Sequence, residues 1–351
     1  MTQNTEPAAH IDWNNLGFKY IDTNGHIRHV WRDGKWNEGE LVPEAYIRTH
    51  ICSPALNYAQ ECFEGLKAFR CKDGKVRIFR PDANAKRLQQ SAEAVMLPHV
   101  PEDLFISAVK RAVAANIEYV PPYGSGGSLY IRPLLIGTGP QISLEPSDEA
   151  MLLVFVMPVA PYYRGGITPV DAEIIENFDR TAPHGTGCYK LGGNYAPVFR
   201  HCLDAKKRGF PITLHLDSKT RSFIDEFSTS NFIGLEKTPS GDVIFSTPDA
   251  PTILRSITRE SLCQLAESFG WQVKKRSIPL EELREGRFIE VAACGTAAII
   301  TPVRKFVRGQ EEILVNGGAK ECGPLLRKLY DRFRAIQNGE EEDKFGWLVQ
   351  V

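Results

Sequence analysis

Lys190 stands in the run Gly187-Cys188-Tyr189-Lys190-Leu191-Gly192-Gly193-Asn194-Tyr195-Ala196-Pro197, a single amine among small residues just ahead of a helical pattern. A lysine held out of bulk water can form an imine with a carbonyl carbon and afterwards carry a proton. Gly192 and Gly193 allow a tight backbone and the close approach of a bulky ligand. Four other places hold residue types that could serve such chemistry. Tyr130 and Arg132 lie two apart in a strand-like segment, so they share a face and make a receptor for a carboxylate or another anion. Glu226 sits in an apolar segment whose centre also carries short polar side chains, and polar groups buried in a strand must find partners. Ser256 and Thr258 open a helix, where N–H groups and the helix dipole suit a phosphate. Gly295-Thr296-Ala297 forms a turn between two strands and offers N–H groups and a hydroxyl to an anion.

The elements that must position these groups read as a mixture of sheet and helix. Residues 1–15 form a loose arm. Strands are expected at 20–22 and 29–31 around a turn at Asn24-Gly25, with a second hairpin turn at Asp33-Gly34. A strand at 76–79 follows the turn Asp73-Gly74. Helices are expected over 81–94, through Ala85, Leu88 and Ala92, and over 104–119, through Ile106, Val109 and Val113. The unbroken apolar run 150–159 has the length of a buried strand. Turn residues then mark a connection at 161–173. Beyond it come strands at 172–178 and 212–216 and a helix through Val198, Phe199, Cys202 and Leu203, which Asn194 would cap. Residues 222–235 read as one strand. A helix through Leu262, Leu265, Ala266 and Phe269 stops at Gly270. The strand at 288–293 breaks and resumes at 299–303, and the last helix, 323–337, has Pro324 in its first turn.

Composition excludes several classes of function. The chain has 351 residues, 42% of them hydrophobic, enough for two domains with separate cores. Its 42 basic and 43 acidic residues nearly cancel, so neither a nucleic acid nor an anionic membrane is the expected partner, and a small molecule is. The 8 cysteines show no CxxC pair and no clustering with histidine, which argues against a metal site and reads as reduced thiols. No run has the length and apolarity of a membrane span, and the N-terminus lacks the basic and apolar regions of a targeting signal, so the cytoplasm is the expected location.

Taken together, Cys62-Phe63-Glu64-Gly65-Leu66-Lys67-Ala68-Phe69-Arg70, Tyr130-Ile131-Arg132-Pro133, Tyr189-Lys190-Leu191-Gly192-Gly193-Asn194-Tyr195 and Gly295-Thr296-Ala297 keep one order along nearly the whole chain. In these motifs the chain resembles the branched-chain amino acid aminotransferases, pyridoxal 5′-phosphate enzymes of fold type IV. The resemblance implies an α/β (α+β) fold with a smaller α/β domain over 1–160, a linker at 161–173 and a larger pseudo-barrel domain over 174–351. It implies that Lys190 forms the imine link to the cofactor and moves the proton. Glu226 would sit at the pyridine nitrogen and Tyr195 at the ring hydroxyl, while Arg87, Ile257, Thr258 and Thr296 would bind the phosphate. Thr296 and Ala297 would receive the substrate carboxylate, with Tyr130 and Arg132 orienting that end of the pocket. Tyr58, Phe63 and Tyr162 would line the side-chain pocket, and Thr229 would be a further substrate-binding residue.

The resemblance further implies a homodimer whose loop 139–144, through Ile142 and Leu144, closes the neighbour's pocket. The expected reaction is transamination between leucine, isoleucine or valine and 2-oxoglutarate. A D-amino acid or (R)-amine aminotransferase, an aminodeoxychorismate lyase and a cofactor-free binding protein are the alternatives. Two departures stand out. The positions of the redox CxxC pair of animal members are apolar here (residues 298–301), so no thiol switch is expected there. The run Phe227-Ser228-Thr229-Ser230 and the pair Gly187-Cys188 leave the amino acid preference open, a specialised relative in secondary metabolism included.

Overall fold

The computed structural model of the chain describes residues 6–162 and 166–351. The first residues of the expected arm and the middle of the expected connection, residues 163–165, lie outside the described residues. Two compact units emerge. One holds the chain up to Pro161 together with Lys190–Gly192 and Ala335–Val351, and the other holds Tyr162–Tyr189 and Gly193–Arg334.

The first unit is built on an antiparallel sheet of nine strands among the described residues. They are β1 (His26–Arg32), β2 (Lys35–Trp36), β3 (Glu40–Val42), β4 (Glu61–Phe63), β5 (Leu66–Arg70), β6 (Val76–Phe79), β7 (Ser128–Gly137), β8 (Ala150–Val159) and, from the end of the chain, β18 (Leu348–Gln350). Their order is β18-β6-β5-β7-β8-β1-β2, with β3 on β1 and β4 on β7. The backbone of the sheet is the β7–β8 pairing, unbroken from Ser128↔Val159 to Gly137↔Ala150. β8 is buried along most of its length, as its apolar run demands. The hairpin at Asp33-Gly34 forms with φ of 52° and 76°, the left-handed pair that a two-residue turn requires.

Helices α1 (Pro54–Tyr58), α2 (Pro81–Ala94) and α3 (Glu102–Ala115) complete this unit. α2 buries Ala85, Leu88 and Ala92 as its periodicity predicts, but also Asn84, Arg87 and Ser91, so its inner face carries polar chemistry. α3 buries Phe105, Ala108, Val109, Ala112 and Val113, and Ile106 is only half-buried. Two expectations fail here. Residues 20–22 form no strand, because the Asn24 N–H is taken by the Asn116 side chain at 2.7 Å and its own amide by the Ala115 carbonyl at 2.8 Å. The arm is not loose over 6–15 either: the Ala8 N–H donates to the Glu118 carbonyl, the Trp13 indole donates to the Ala8 carbonyl, and Ala8 is buried.

The second unit contains β9 (Val170–Ile175), β10 (Ile212–Leu216), β11 (Ile224–Phe227), β12 (Ser230–Lys237), β13 (Val243–Thr247), β14 (Gln272–Lys275), β15 (Glu290–Gly295), β16 (Ile299–Arg308) and β17 (Glu311–Leu314). The path runs β11-β10-β9-β16-β15-β12, and β11 also pairs with β12. Six strands therefore close on themselves as a pseudo-barrel. β9 is parallel to both β10 and β16, and β13 is parallel to β14. Such neighbours need crossover connections, which α4 (Val198–Lys207) and α5 (Ile257–Ser268) supply. The short α6 (Glu281–Arg284) and the long α7 (Pro324–Gln337) follow, and α7 buries Leu326, Leu329, Phe333 and Ile336.

Residues 222–235 are two strands rather than one, joined by the turn Ser228-Thr229, with Phe227↔Ser230 and Glu226↔Asn231 in register. The turn carries no glycine, proline or asparagine, so nothing in its composition marks it. Near-parallel rings of Phe227, Phe232 and Phe306, 6.2 and 6.3 Å apart, form the centre of the core. Phe288 meets Phe232 edge-on at 5.9 Å. A Cβ at Gly234 would lie 2.5 Å from the Phe288 ring, so this strand position admits no side chain.

Phe232 is fully buried, and truncating a large ring in such a site costs about 3–5 kcal/mol. Phe232→Ala is expected to lose that amount in chemical denaturation, and Phe232→Leu much less. Equal losses for the two variants would show that the ring stack is not what holds this core.

Candidate active site

In the first unit, α2 presents Arg87 and Ser91 four residues apart, on one face. The Lys190 N–H donates to Ser91 Oγ at 2.9 Å, and the Lys190 carbonyl accepts from the Phe63 N–H at 3.1 Å. The backbone of Lys190 is thus held on both sides, although the run around it is rich in glycine. Its Nζ lies 4.7 Å from the centre of the Phe63 ring, and the Arg132 guanidinium lies 4.7 Å from that same ring. A negative ring face attracts both cations. Arg132 also donates to the Tyr130 hydroxyl at 2.8 Å, so the two residues sharing a face of β7 act together. A Cβ on Gly65 would come within 2.2 Å of that hydroxyl, which explains the glycine of the Phe63-Glu64-Gly65 loop.

Arg87 is itself gripped. Its Nε and one terminal nitrogen each lie 2.7 Å from an oxygen of Glu64, whose side chain is fully buried. Tyr58 stands elsewhere: its hydroxyl donates to the Ile142 carbonyl at 2.5 Å. It therefore goes with the loop that exposes Ile142 and Leu144.

In the second unit, register alone gathers one end of the pseudo-barrel. Asn231 pairs with Glu226 on β11 and with Cys294 on β15, so the turn Ser228-Thr229 and the turn 296–298 lie side by side. β13 runs back toward the same end, where the Thr247 hydroxyl donates to the Phe232 carbonyl at 2.8 Å. The loop from β13 leads to α5, whose N-cap Ser256 accepts from the Arg259 N–H. Ile257 and Thr258 then begin the helix with N–H groups that have no intrahelical acceptor. Thr229 and Ala297 are exposed and Thr296 is half-buried.

Glu226 lies at this end, 2% exposed. Its Oε2 accepts from the Asn231 amide at 2.9 Å and, at 3.4 Å, from the Leu254 N–H. Its Oε1 has no hydrogen-bond partner among the described residues. The nearest cation, Arg180, is 3.7 Å away. Burial pushes the Glu226 carboxyl up to about 7, against the pull of Arg180. Arg180 also donates to the Ser228 carbonyl at 3.2 Å and lies 5.4 Å from the centre of the Tyr195 ring. Ser228 is pinned further by the Thr213 hydroxyl at 2.5 Å and His215 Nε2 at 2.7 Å, and burial pushes His215 down to about 3, so it is neutral.

Asn194 does not cap α4. Its amide donates to the carbonyls of Thr186 and Tyr189 and ties the 186–194 loop, while the N-cap is Pro197, without a side-chain bond. α4 buries Val198 and Ala205, whereas Phe199 and Leu203 are exposed. Tyr162, at the start of this unit, is 48% exposed. Sequence reasoning missed Glu64, Ser91 and Arg180. Ser91 follows Arg87 by one helical turn, a spacing that could have revealed it; nothing local marks Arg180.

A buried carboxylate oxygen without a donor suits a ligand that brings a cationic ring N–H, and helix N–H groups suit a phosphate. These donors fit pyridoxal 5′-phosphate, whose chemistry also requires an amine such as that of Lys190. Among the described residues no group of His, Cys, Asp or Glu could hold a metal ion.

Comparison with known proteins gives the family. The family described as amino-transferase class IV matches residues 61–306. The chain is 43% identical to the branched-chain-amino-acid aminotransferase of Haemophilus influenzae, over 97% of this chain and 99% of that one. It is 44% identical to transaminase AMT5 of Alternaria alternata, over 97% and 92%. Among solved structures, the branched-chain amino acid aminotransferase of Thermobaculum terrenum in its PLP-bound form superposes with a TM-score of 0.73 at 22% identity, over 94% of this chain and 99% of that one. That likeness shows the fold, and the family match and the two relatives show the rest: the chain belongs to the class IV aminotransferases.

Proposed function

We propose that this aminotransferase moves the amino group of L-leucine, L-isoleucine or L-valine to 2-oxoglutarate, releasing branched-chain 2-oxo acids and L-glutamate, with pyridoxal 5′-phosphate as cofactor. The observation that carries the reading is the buried Glu226 oxygen without a partner, at the same end of the unit as the first turn of α5. The choice of branched-chain substrates is supported by the Haemophilus relative and by the aromatic character of Tyr58, Phe63 and Tyr162.

When bound, the cofactor supplies a carbonyl that takes up the amino group and a ring that accepts an electron pair. Lys190 supplies the amine that holds the cofactor and then carries the proton on and off the substrate carbon. Glu226 holds a proton at the ring nitrogen, and Tyr195, with Arg180 against its ring, donates to the ring hydroxyl. Arg87, the first N–H groups of α5 at Ile257 and Thr258, and Thr296 bind the phosphate. The Thr296 and Ala297 end of the β15–β16 turn takes the substrate carboxylate, with Tyr130 and Arg132 as the polar group that also accommodates the second carboxylate of glutamate. Thr229 borders the side-chain pocket.

We read the working form as a homodimer. Phe18, Tyr20, Tyr46, Ile51, Leu56, Ile142 and Leu144 are all more than half exposed in the first unit, a density of apolar groups that favours a covered surface. The 139–144 loop would close the neighbour's pocket, and Tyr58, tied to Ile142, would go with it. Among the described residues no helix is long and apolar enough to cross a membrane, and the eight free cysteines suit the reducing cytoplasm. A second reading keeps the reaction and changes the amino acid. It is favoured by the 44% identity to the fungal transaminase, and a panel of amino acids as donors separates the two.

Absorption of the pure protein, followed as amino acids are added, tests the proposal. The band of the bound cofactor is expected to bleach with L-leucine and not with D-alanine; the reverse pattern would move the enzyme to the D-amino acid branch. Lys190→Ala is expected to lower turnover by at least about 1,000-fold, the scale of a missing general base, and retained turnover would sink the assignment.

Glu226 adds a pH test. Its carboxyl lies at about 7 in the folded, cofactor-free chain against an ordinary 4.5. Between those values the folded chain keeps a proton that the unfolded chain has lost, so stability falls as pH rises through the window. The effect is at most about 3 kcal/mol. Glu226→Gln has no such proton. In denaturation of the cofactor-free protein, its stability relative to wild type should rise from pH 5 to pH 8, and a constant difference would refute the shifted carboxyl.

A further inference from the structure

Arg87 reaches its site as half of a bidentate pair, and the other half is fully buried. Glu64 Oε1 and Oε2 each take one nitrogen of the guanidinium at 2.7 Å. Glu64 cannot shift to suit its partner, because its own N–H donates to the Pro133 carbonyl on β7 at 2.8 Å and its Oε2 also accepts from the Gly65 N–H at 3.2 Å. The next residue, Gly65, is packed beneath the Tyr130 hydroxyl. A guanidinium is planar, so fixing the edge that carries Nε fixes the plane and the direction of the opposite edge.

The charge of this arrangement is informative. If Arg87 served only to attract a phosphate dianion, a carboxylate at 2.7 Å would work against it by cancelling its field. An arrangement that gives up attraction and gains a fixed plane is one in which direction matters more than charge. We infer that Glu64 is a positioning residue for the cofactor's phosphate: it fixes the plane of the Arg87 guanidinium, so that what Arg87 offers the phosphate oxygens is direction more than net charge. The inference rests on the reading of Arg87 as a phosphate ligand and adds the residue that makes it one.

The test is binding rather than turnover. Equilibrium dialysis of the full-length protein against graded pyridoxal 5′-phosphate, and separately against pyridoxal, which lacks the phosphate, gives an affinity ratio for wild type, Glu64→Gln, Arg87→Ala and the double variant. Glu64→Gln keeps the volume and removes the charge. It is expected to weaken pyridoxal 5′-phosphate binding by about tenfold or more, the scale of a charge-assisted hydrogen bond, to leave pyridoxal binding within about twofold, the uncertainty of a near-neutral change, and to have no further effect once Arg87 is alanine.

Unchanged or tighter pyridoxal 5′-phosphate binding in Glu64→Gln would overturn the inference, since tightening is what removal of a merely neutralising charge produces. Equal weakening for both ligands would also overturn it, because that is the mark of a purely structural pair. If wild type binds no pyridoxal 5′-phosphate, or Arg87→Ala binds it as wild type does, the underlying reading fails and the inference with it. Should Glu64→Gln not fold, Glu64→Asp, which keeps the charge and withdraws the carboxylate by one methylene, is expected to show the same selective loss, and an unaltered ratio would overturn the inference.

Discussion

The pairing of β11 with β12 is the constraint on which the second unit depends. Without it the path β11-β10-β9-β16-β15-β12 is an open sheet with two edges; with it the ring closes. Closure removes the exposed strand edges, and it sets Glu226 in register with Asn231, on the face of β11 opposite to Phe227, where the Leu254 N–H from the loop ahead of α5 meets it. The Asn231 amide that meets Glu226 Oε2 then satisfies half of the carboxylate and leaves the other half without a donor. A fold element and an electrostatic imbalance thus have one origin. The raised carboxyl follows from burial of this group, which outweighs the pull of Arg180 and the Leu254 N–H.

The first unit solves a different problem, that of holding long, mobile side chains still. Lys190 lies in a loop whose glycines would let it wander, and the sheet unit holds its main chain from two sides, at Ser91 and Phe63. Phe63 is the shared part: its N–H bonds the Lys190 carbonyl, while its ring faces both Lys190 Nζ and the Arg132 guanidinium. Cations near a ring face are attracted individually but repel one another. The Arg132 guanidinium is held by its hydrogen bond to the Tyr130 hydroxyl. One short loop, Phe63-Glu64-Gly65, therefore fixes an amine and two guanidinium groups, and each of its three residues contributes differently: a ring, a carboxylate and the absence of a side chain.

How much of this was legible follows from the range of the interactions involved. The Tyr130 and Arg132 partnership is local to one strand and follows from alternation; the inner face of α2 follows from its 3.6-residue period, and the Asp33-Gly34 hairpin from its turn residues. Lys190 was legible because an amine among glycines is unusual. Glu64 was not, because its partner lies 23 residues away on a helix, and a carboxylate ahead of a glycine reads as an exposed loop until the helix is packed against it. Arg180, in the loop after β9, was hidden for the same reason, with its carboxylate far along the chain on β11. The Ser228-Thr229 turn escaped because side chains from β10, Thr213 and His215, pin it, where composition would ordinarily supply a glycine. β18, three residues long, is too short for alternation to show.

The two buried carboxylates show how burial alone does not predict a group's behaviour. Glu64 and Glu226 are both almost wholly removed from water, and each has an arginine nearby. What separates them is distance and geometry. At 2.7 Å and bidentate, Arg87 compensates Glu64 with hydrogen bonds that share its charge. At 3.7 Å from the nearer oxygen, Arg180 offers Glu226 a field without a hydrogen bond, and its own donors go to the carbonyls of Ser228 and Gly187. Desolvation therefore wins at Glu226. The same chain thus pairs one buried carboxylate with two donors of a single guanidinium and leaves one oxygen of the other without a donor among the described residues.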